Sequence, residues 1–91
     1  MNNKNTENYK KVREIFGTVK GMLPETRYQE SKDTCVFHLG IDNLDFYYLY
    51  GNSQITMLIN DEDIKVLNIS DNTVAKIVDL IADFKAGKKI V

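Results

Sequence analysis

Apolar residues recur at helical spacing near the start of the chain, at Tyr9, Val12, Ile15, Phe16, Val19, Met22 and Leu23, and the pattern stops at Pro24. With Thr6 placed to cap the first turn, this period predicts a helix over about residues 6–23. On its polar side Glu7 with Lys11 and Lys10 with Glu14 stand four apart, a spacing that supports a helix by roughly 0.2–0.5 kcal/mol per pair. Gly17 and Gly21 work against it. Each costs about 1 kcal/mol relative to alanine, so either the last turns fray or another backbone packs closely there.

The period then changes from helical to alternating. Thr26, Tyr28 and Glu30 alternate with Arg27 and Gln29, which suits a polar edge strand. From Thr34, Cys35, Phe37 and Leu39 form one face and Val36 and His38 the other, ending at Gly40 and the turn residues Asp42-Asn43. Leu44 to Tyr50 is dense in aromatics, and Gly51-Asn52 is expected to supply the positive φ angles of a tight hairpin. Ile55, Met57 and Ile59 alternate with Thr56 and Leu58, Asp61-Glu62-Asp63 is expected to turn the chain, and Ile64 to Ile69 closes the sheet. Connections this short force antiparallel neighbours, because a parallel pair needs a crossover of about a dozen residues. Ser70 or Asp71 is expected to cap a final helix carrying Val74, Ile77, Val78, Ile81 and Phe84, which Gly87 stops. Lys85, Lys88 and Lys89 cluster at its end, where positive charge suits the helix dipole. The prediction is an α+β fold: a four- or five-stranded antiparallel β-meander with an N-terminal and a C-terminal helix packed on one face, in α-β-β-β-β-α order.

Alternation also assigns sides. Cys35, Phe37, Leu39, Leu44, Phe46, Tyr48, Ile55, Met57, Ile59, Ile64 and Val66 fall on one almost wholly apolar surface, which the helices should cover. The other carries Val36, His38, Asp45, Tyr47, Leu49, Thr56, Leu58, Lys65, Leu67 and Ile69, a mixture too apolar for a fully solvated face. Either a helix or the segment from Pro24 to Lys32 wraps that side, or a partner occupies it, a second copy of the chain included.

Composition narrows the setting. The 91 residues have room for one core, and a domain this small buries only about 60–65% of the surface its unfolded chain exposes. A single domain over residues 1–91 is expected, with 1–5 as a polar tail. Cys35 is the one cysteine, so no internal disulfide can form, which suits a reducing compartment and makes the cytoplasm the expected location. No apolar run approaches the roughly 18 residues of a membrane span, and the polar start does not resemble a secretory signal.

Charge and chemistry exclude more than they assign. Residues 33–64 hold Asp33, Asp42, Asp45, Asp61, Glu62 and Asp63 without any lysine or arginine, whereas residues 1–20 hold Lys4, Lys10, Lys11, Arg13 and Lys20 against Glu7 and Glu14. An acidic sheet attracts basic partners and repels phosphate backbones, although the formal net charge is only -1. His38 and Cys35, the only histidine and cysteine, lie three apart on one strand and point to opposite faces, so they cannot easily pair as thiol and imidazole. One of each cannot close a tetrahedral zinc site without several carboxylates, the acidic run lacks calcium-loop spacing, and no phosphate-cradling glycine pattern is present. No cofactor, no metal and no catalytic residue is expected, so the chain reads as a non-enzyme.

What remains is an interaction module. His38, Asp45, Tyr47, Leu49, Tyr50, Leu58, Asp61, Glu62 and Asp63 are its candidate contact residues, and another protein with a basic surface is the expected partner. The frequent Asn, Lys and Ile usage matches an AT-rich bacterium or its phage, which makes an inhibitor of a host nucleic-acid enzyme an attractive form of the same idea. The alternative is a nucleic-acid-binding regulator using Lys10, Lys11, Arg13 and Lys20 on the first helix.

Overall fold

The computed structural model describes residues 6–90, so the expected tail at residues 1–5 lies outside the described residues. Helix α1 runs Glu7–Met22, strands follow at β1 Arg27–Glu30, β2 Thr34–His38, β3 Leu44–Leu49, β4 Gln54–Ile59 and β5 Glu62–Asn68, and helix α2 runs Thr73–Lys85. The strands form one antiparallel sheet in the order β1-β2-β3-β4-β5, so the meander has five strands and the polar segment after Pro24 supplies its edge.

Local chemistry explains most boundaries. Thr6 caps α1, its hydroxyl accepting the Tyr9 N–H at 3.1 Å. Lys11, placed to pair with Glu7, reaches out of the helix to Asp71 at 2.9 Å. The cap expected of Ser70 or Asp71 is replaced by a different device. The helix N-cap is Asn72, and the buried Thr73 hydroxyl accepts the Ser70 N–H at 2.8 Å while donating to the Asn68 carbonyl at 3.1 Å. At the other end Gly87, with φ of 73°, donates to the Phe84 carbonyl and Lys88 to the Asp83 carbonyl, the paired bonds of a Schellman motif.

Two turns differ from expectation. The last hairpin turns on Asn60 and Asp61, both at positive φ, so Glu62 and Asp63 belong to β5. In the Leu49–Asn52 turn only Gly51 is at positive φ, at 88°, and Asn52 donates back to the Leu49 carbonyl.

Both helices lie on the Cys35 side. Tyr9, Val12, Ile15, Phe16 and Val19 of α1 and Ile77, Leu80 and Ile81 of α2 share one buried cluster with Cys35, Phe37, Leu39, Leu44, Phe46, Tyr48, Ile55 and Met57. Phe16 stacks on Phe37 with ring centroids 5.0 Å apart, a contact worth about 1 kcal/mol beyond its buried area. A methyl group added at Gly17 or Gly21 would meet no packed neighbour within 4 Å, so close backbone packing does not account for these glycines.

The closing strand reverses the expected sides. The ladder shifts between Met57 and Leu58: Leu58 opposes Asp63 while Met57 opposes Lys65, leaving Ile64 as the extra residue of a bulge. One inserted residue flips every side chain beyond it. Leu67 is therefore in the core and only 5% exposed, Val66 faces outward at 49%, Lys65 lies on the helix side and Ile69 packs at the core margin.

Candidate interaction surface

With both helices on one side, no described element lies over the other side of the sheet. Residues paired across strands share a face, so the registers write that surface out row by row. One row runs Arg27, His38, Asp45, Leu58, Asp63 and the next Gln29, Val36, Tyr47, Thr56, Val66, with Thr34 beside Leu49 beyond them. At the usual strand spacing each five-residue row spans roughly 19 Å. Val36, Tyr47 and Leu58 are half-buried, and Leu49 and Val66 are exposed.

A polar bridge ties three strands together on this face. His38 Nδ1 lies 3.0 Å from Asp45 Oδ1 and its Nε2 lies 3.1 Å from Gln29 Oε1. An ionised carboxylate only accepts, so Nδ1 carries the proton directed at Asp45. A neutral ring then presents Nε2 as an acceptor, which Gln29 satisfies by turning its amide nitrogen inward; an imidazolium takes the amide oxygen.

Acidic groups gather at one end of the sheet. Asn43 Nδ2 donates to Asn60 Oδ1 at 3.0 Å and the Asn60 N–H to the Asn43 carbonyl at 3.2 Å. These bonds hold the Asp42-Asn43 and Asn60-Asp61 turns side by side, with Asp45 and Asp63 just inside them. Arg27 offsets this charge at one corner, where it lines a hollow of about 500 Å³ with His38, Asp42 and Asp45.

Of the candidate contact residues, His38, Asp45, Tyr47, Leu49, Leu58 and Asp63 share the open face, and Asp61 stands at its acidic end. Glu62 pairs with Ile59 and so points to the helix side. Tyr50 does not belong to the surface: it is buried against the edge of the Tyr9 ring, centroids 5.1 Å apart, and burial pushes its phenol up to about 12. Val66, Arg27 and Gln29 join the face instead.

The basic candidates divide. Lys10, Arg13 and Lys20 recur at helical spacing along one side of α1, whereas Lys11 is held by Asp71. Arg13 is 3.7 Å from Glu30 and lies over the rings of Tyr9 and Tyr28. Tyr9 and Tyr28 both donate to Glu30 Oε1, at 2.6 and 2.9 Å. Burial first, then these bonds to a carboxylate, raise the Tyr9 phenol above its ordinary value, and burial is likewise the leading cause for Tyr28.

Cys35 is fully buried on the helix side, away from His38, so the two form no catalytic pair. Among the described residues no three His, Cys, Asp or Glu side chains gather into a metal-holding group, and no helix is long and apolar enough to cross a membrane. Compared with protein families, curated proteins and solved structures, the chain has no match.

Proposed function

We propose that the chain is a non-enzymatic protein-interaction module whose open sheet face docks on a partner with a basic surface. The observation that carries the reading is the placement of both helices on the Cys35 side, which leaves Val36, Tyr47, Leu49, Leu58 and Val66 as an apolar band without a cover among the described residues. Aromatic and aliphatic groups inside a polar rim are the usual anatomy of an interface centre. The rim sets the partner's sign. Asp42, Asp45, Asp61 and Asp63 stand at one end against the single Arg27, so a cationic surface is steered toward this face and a phosphate backbone is repelled. An inhibitor that covers the basic cleft of a nucleic-acid enzyme fits this surface, and the Asn, Lys and Ile usage is what suggests a phage as its source. Nucleic-acid binding through α1 has less support, since Lys11 is paired with Asp71 and Arg13 sits beside Glu30.

The test is a photo-crosslinker, p-benzoylphenylalanine, at position 47, irradiated in cells of the source organism. The expected product is an adduct with one basic protein that disappears when Leu49→Asp is added and survives Lys10→Glu. An adduct of twice the chain's mass, an adduct with nucleic acid, or one indifferent to Leu49→Asp contradicts the reading.

A further inference from the structure

A second surface, distinct from the open face, lies where α1 meets the free edge of the sheet. β1 begins the strand order, so among the described residues no strand pairs with its outer edge. The Ser31 N–H bonds to the Thr34 carbonyl, and antiparallel ladders alternate, so Gln29 and Arg27 share that hydrogen-bonded set while the Tyr28 N–H and C=O point away from β2. Beside this edge is a groove of about 220 Å³ lined by Arg13, Phe16, Gly17, Lys20 and Tyr28. Its floor is aromatic and its walls carry two cations, of which Arg13 lies 3.7 Å from Glu30 just outside the lining, while Lys20 has no acidic residue beside it in the lining.

Gly17 lines the groove and brings no side chain into it. A glycine weakens a helix interior, and no packed neighbour approaches the place where its side chain would stand. The open position leaves room for an outside backbone to approach α1 closely. The other sheet edge is guarded differently: β5 carries the bulge at Ile64 and the half-buried Lys65, devices that discourage strand addition. β1 is short and carries Arg27 and Glu30, but it pairs through four consecutive positions without a bulge.

We infer that the groove between α1 and β1 receives an extended acidic peptide segment of a partner protein, which adds to the sheet as a sixth strand. Main-chain bonds to Tyr28 hold it in register, and Lys20 selects its carboxylates, with Arg13 contributing the part of its charge that Glu30 leaves. The two cations are seven residues apart on α1, about 10 Å along the axis, a distance an extended chain covers in about three residues. A segment of four to six residues is long enough.

The test uses a random dodecapeptide display library selected on the full chain and counter-selected on Gly17→Leu. Acidic extended sequences should be enriched. In NMR titrations a selected peptide should shift the Tyr28 amide and slow its hydrogen exchange, with at least tenfold weaker binding to Gly17→Leu and to Lys20→Glu. Circular dichroism checks that both variants stay folded, and Gly17→Ala serves as the milder variant if Gly17→Leu does not fold. A proline at the centre of the peptide should abolish binding, which a purely electrostatic contact would tolerate. Enrichment of basic or charge-independent sequences, no sequence sensitive to Gly17→Leu, shifts on the Tyr47 face instead, or tighter Gly17-dependent binding of oligothymidylate would overturn the inference. The Gly17-dependent outcomes are read without reference to what occupies the open face.

Discussion

Leu67→Thr and Val66→Thr form a matched pair that reads the β5 bulge directly. Leu67 is 5% exposed and lies opposite Ile55, which is fully buried. Threonine there removes apolar volume worth about 2 kcal/mol of transfer and buries a hydroxyl, which adds roughly 1–2 kcal/mol where no partner is at hand. Leu67 also lines the hollow between β5 and α2, so neighbours can partly collapse into the gap and the cavity contribution stays small. The expected loss is about 3 kcal/mol. Val66 is 49% exposed on the open face, threonine has nearly its shape and a good strand propensity, and the expected loss is about 0.5 kcal/mol. With a urea slope of about 1 kcal/mol/M for a domain of this size, Leu67→Thr lowers the unfolding midpoint by about 3 M and Val66→Thr by about 0.5 M. Equal losses, or the larger one at Val66, would refute the bulge and return Leu67 to the open face.

Other consequences follow from single contacts. Gly17→Ala meets nothing within 4 Å and should stabilise by about 1 kcal/mol, raising the melting temperature by about 4–8 °C; a lower melting temperature would show that the helix needs the glycine for internal packing. Thr73→Val keeps the shape but leaves the Ser70 N–H and Asn68 carbonyl without their hydroxyl partner, so it should cost about 2 kcal/mol in urea unfolding. A change below about 0.5 kcal/mol would mean water replaces the bond. Lys11 holds the Asp71 carboxyl below its ordinary value of 3.8. Its stabilising effect is therefore present above the unfolded value and is lost as pH falls through the folded one. Carbon-detected NMR titration should show Asp71 protonating below pH 3.8 and returning toward that value in Lys11→Met; an unchanged titration refutes the pairing.

Much of the fold is legible in the sequence because it rests on uninterrupted periods. Both helices, the Thr6 cap, the Gly87 stop and the sides of β2, β3 and β4 follow from spacing alone. β1 is the faintest strand in the pattern, since its residues are polar and its role as an edge depends on the hydrogen bonds of β2. β5 defeats alternation because a bulge inserts one residue without altering composition, and a period carried through Ile64 puts Val66 inside and Leu67 outside. The open face is readable from Val36, His38, Asp45, Tyr47 and Leu49, whose strands carry no bulge. Tyr50 departs from the expected surface for a simpler reason: it keeps the parity of Phe46 and Tyr48, so its ring continues their buried row. The groove beside Gly17 leaves only a faint signal, a glycine in a helix with no turn to make.

The claim on which the functional reading rests is that the Tyr47 side of the sheet is open to solvent in the isolated chain. Methyl NMR with a soluble gadolinium chelate measures this directly. The Leu49 and Val66 methyls should broaden strongly at low protein concentration while those of Val12, Leu44 and Leu67 stay sharp. Leu49 and Val66 methyls as sheltered as Leu44 would mean that this side is already interior, and the proposed docking surface would be withdrawn.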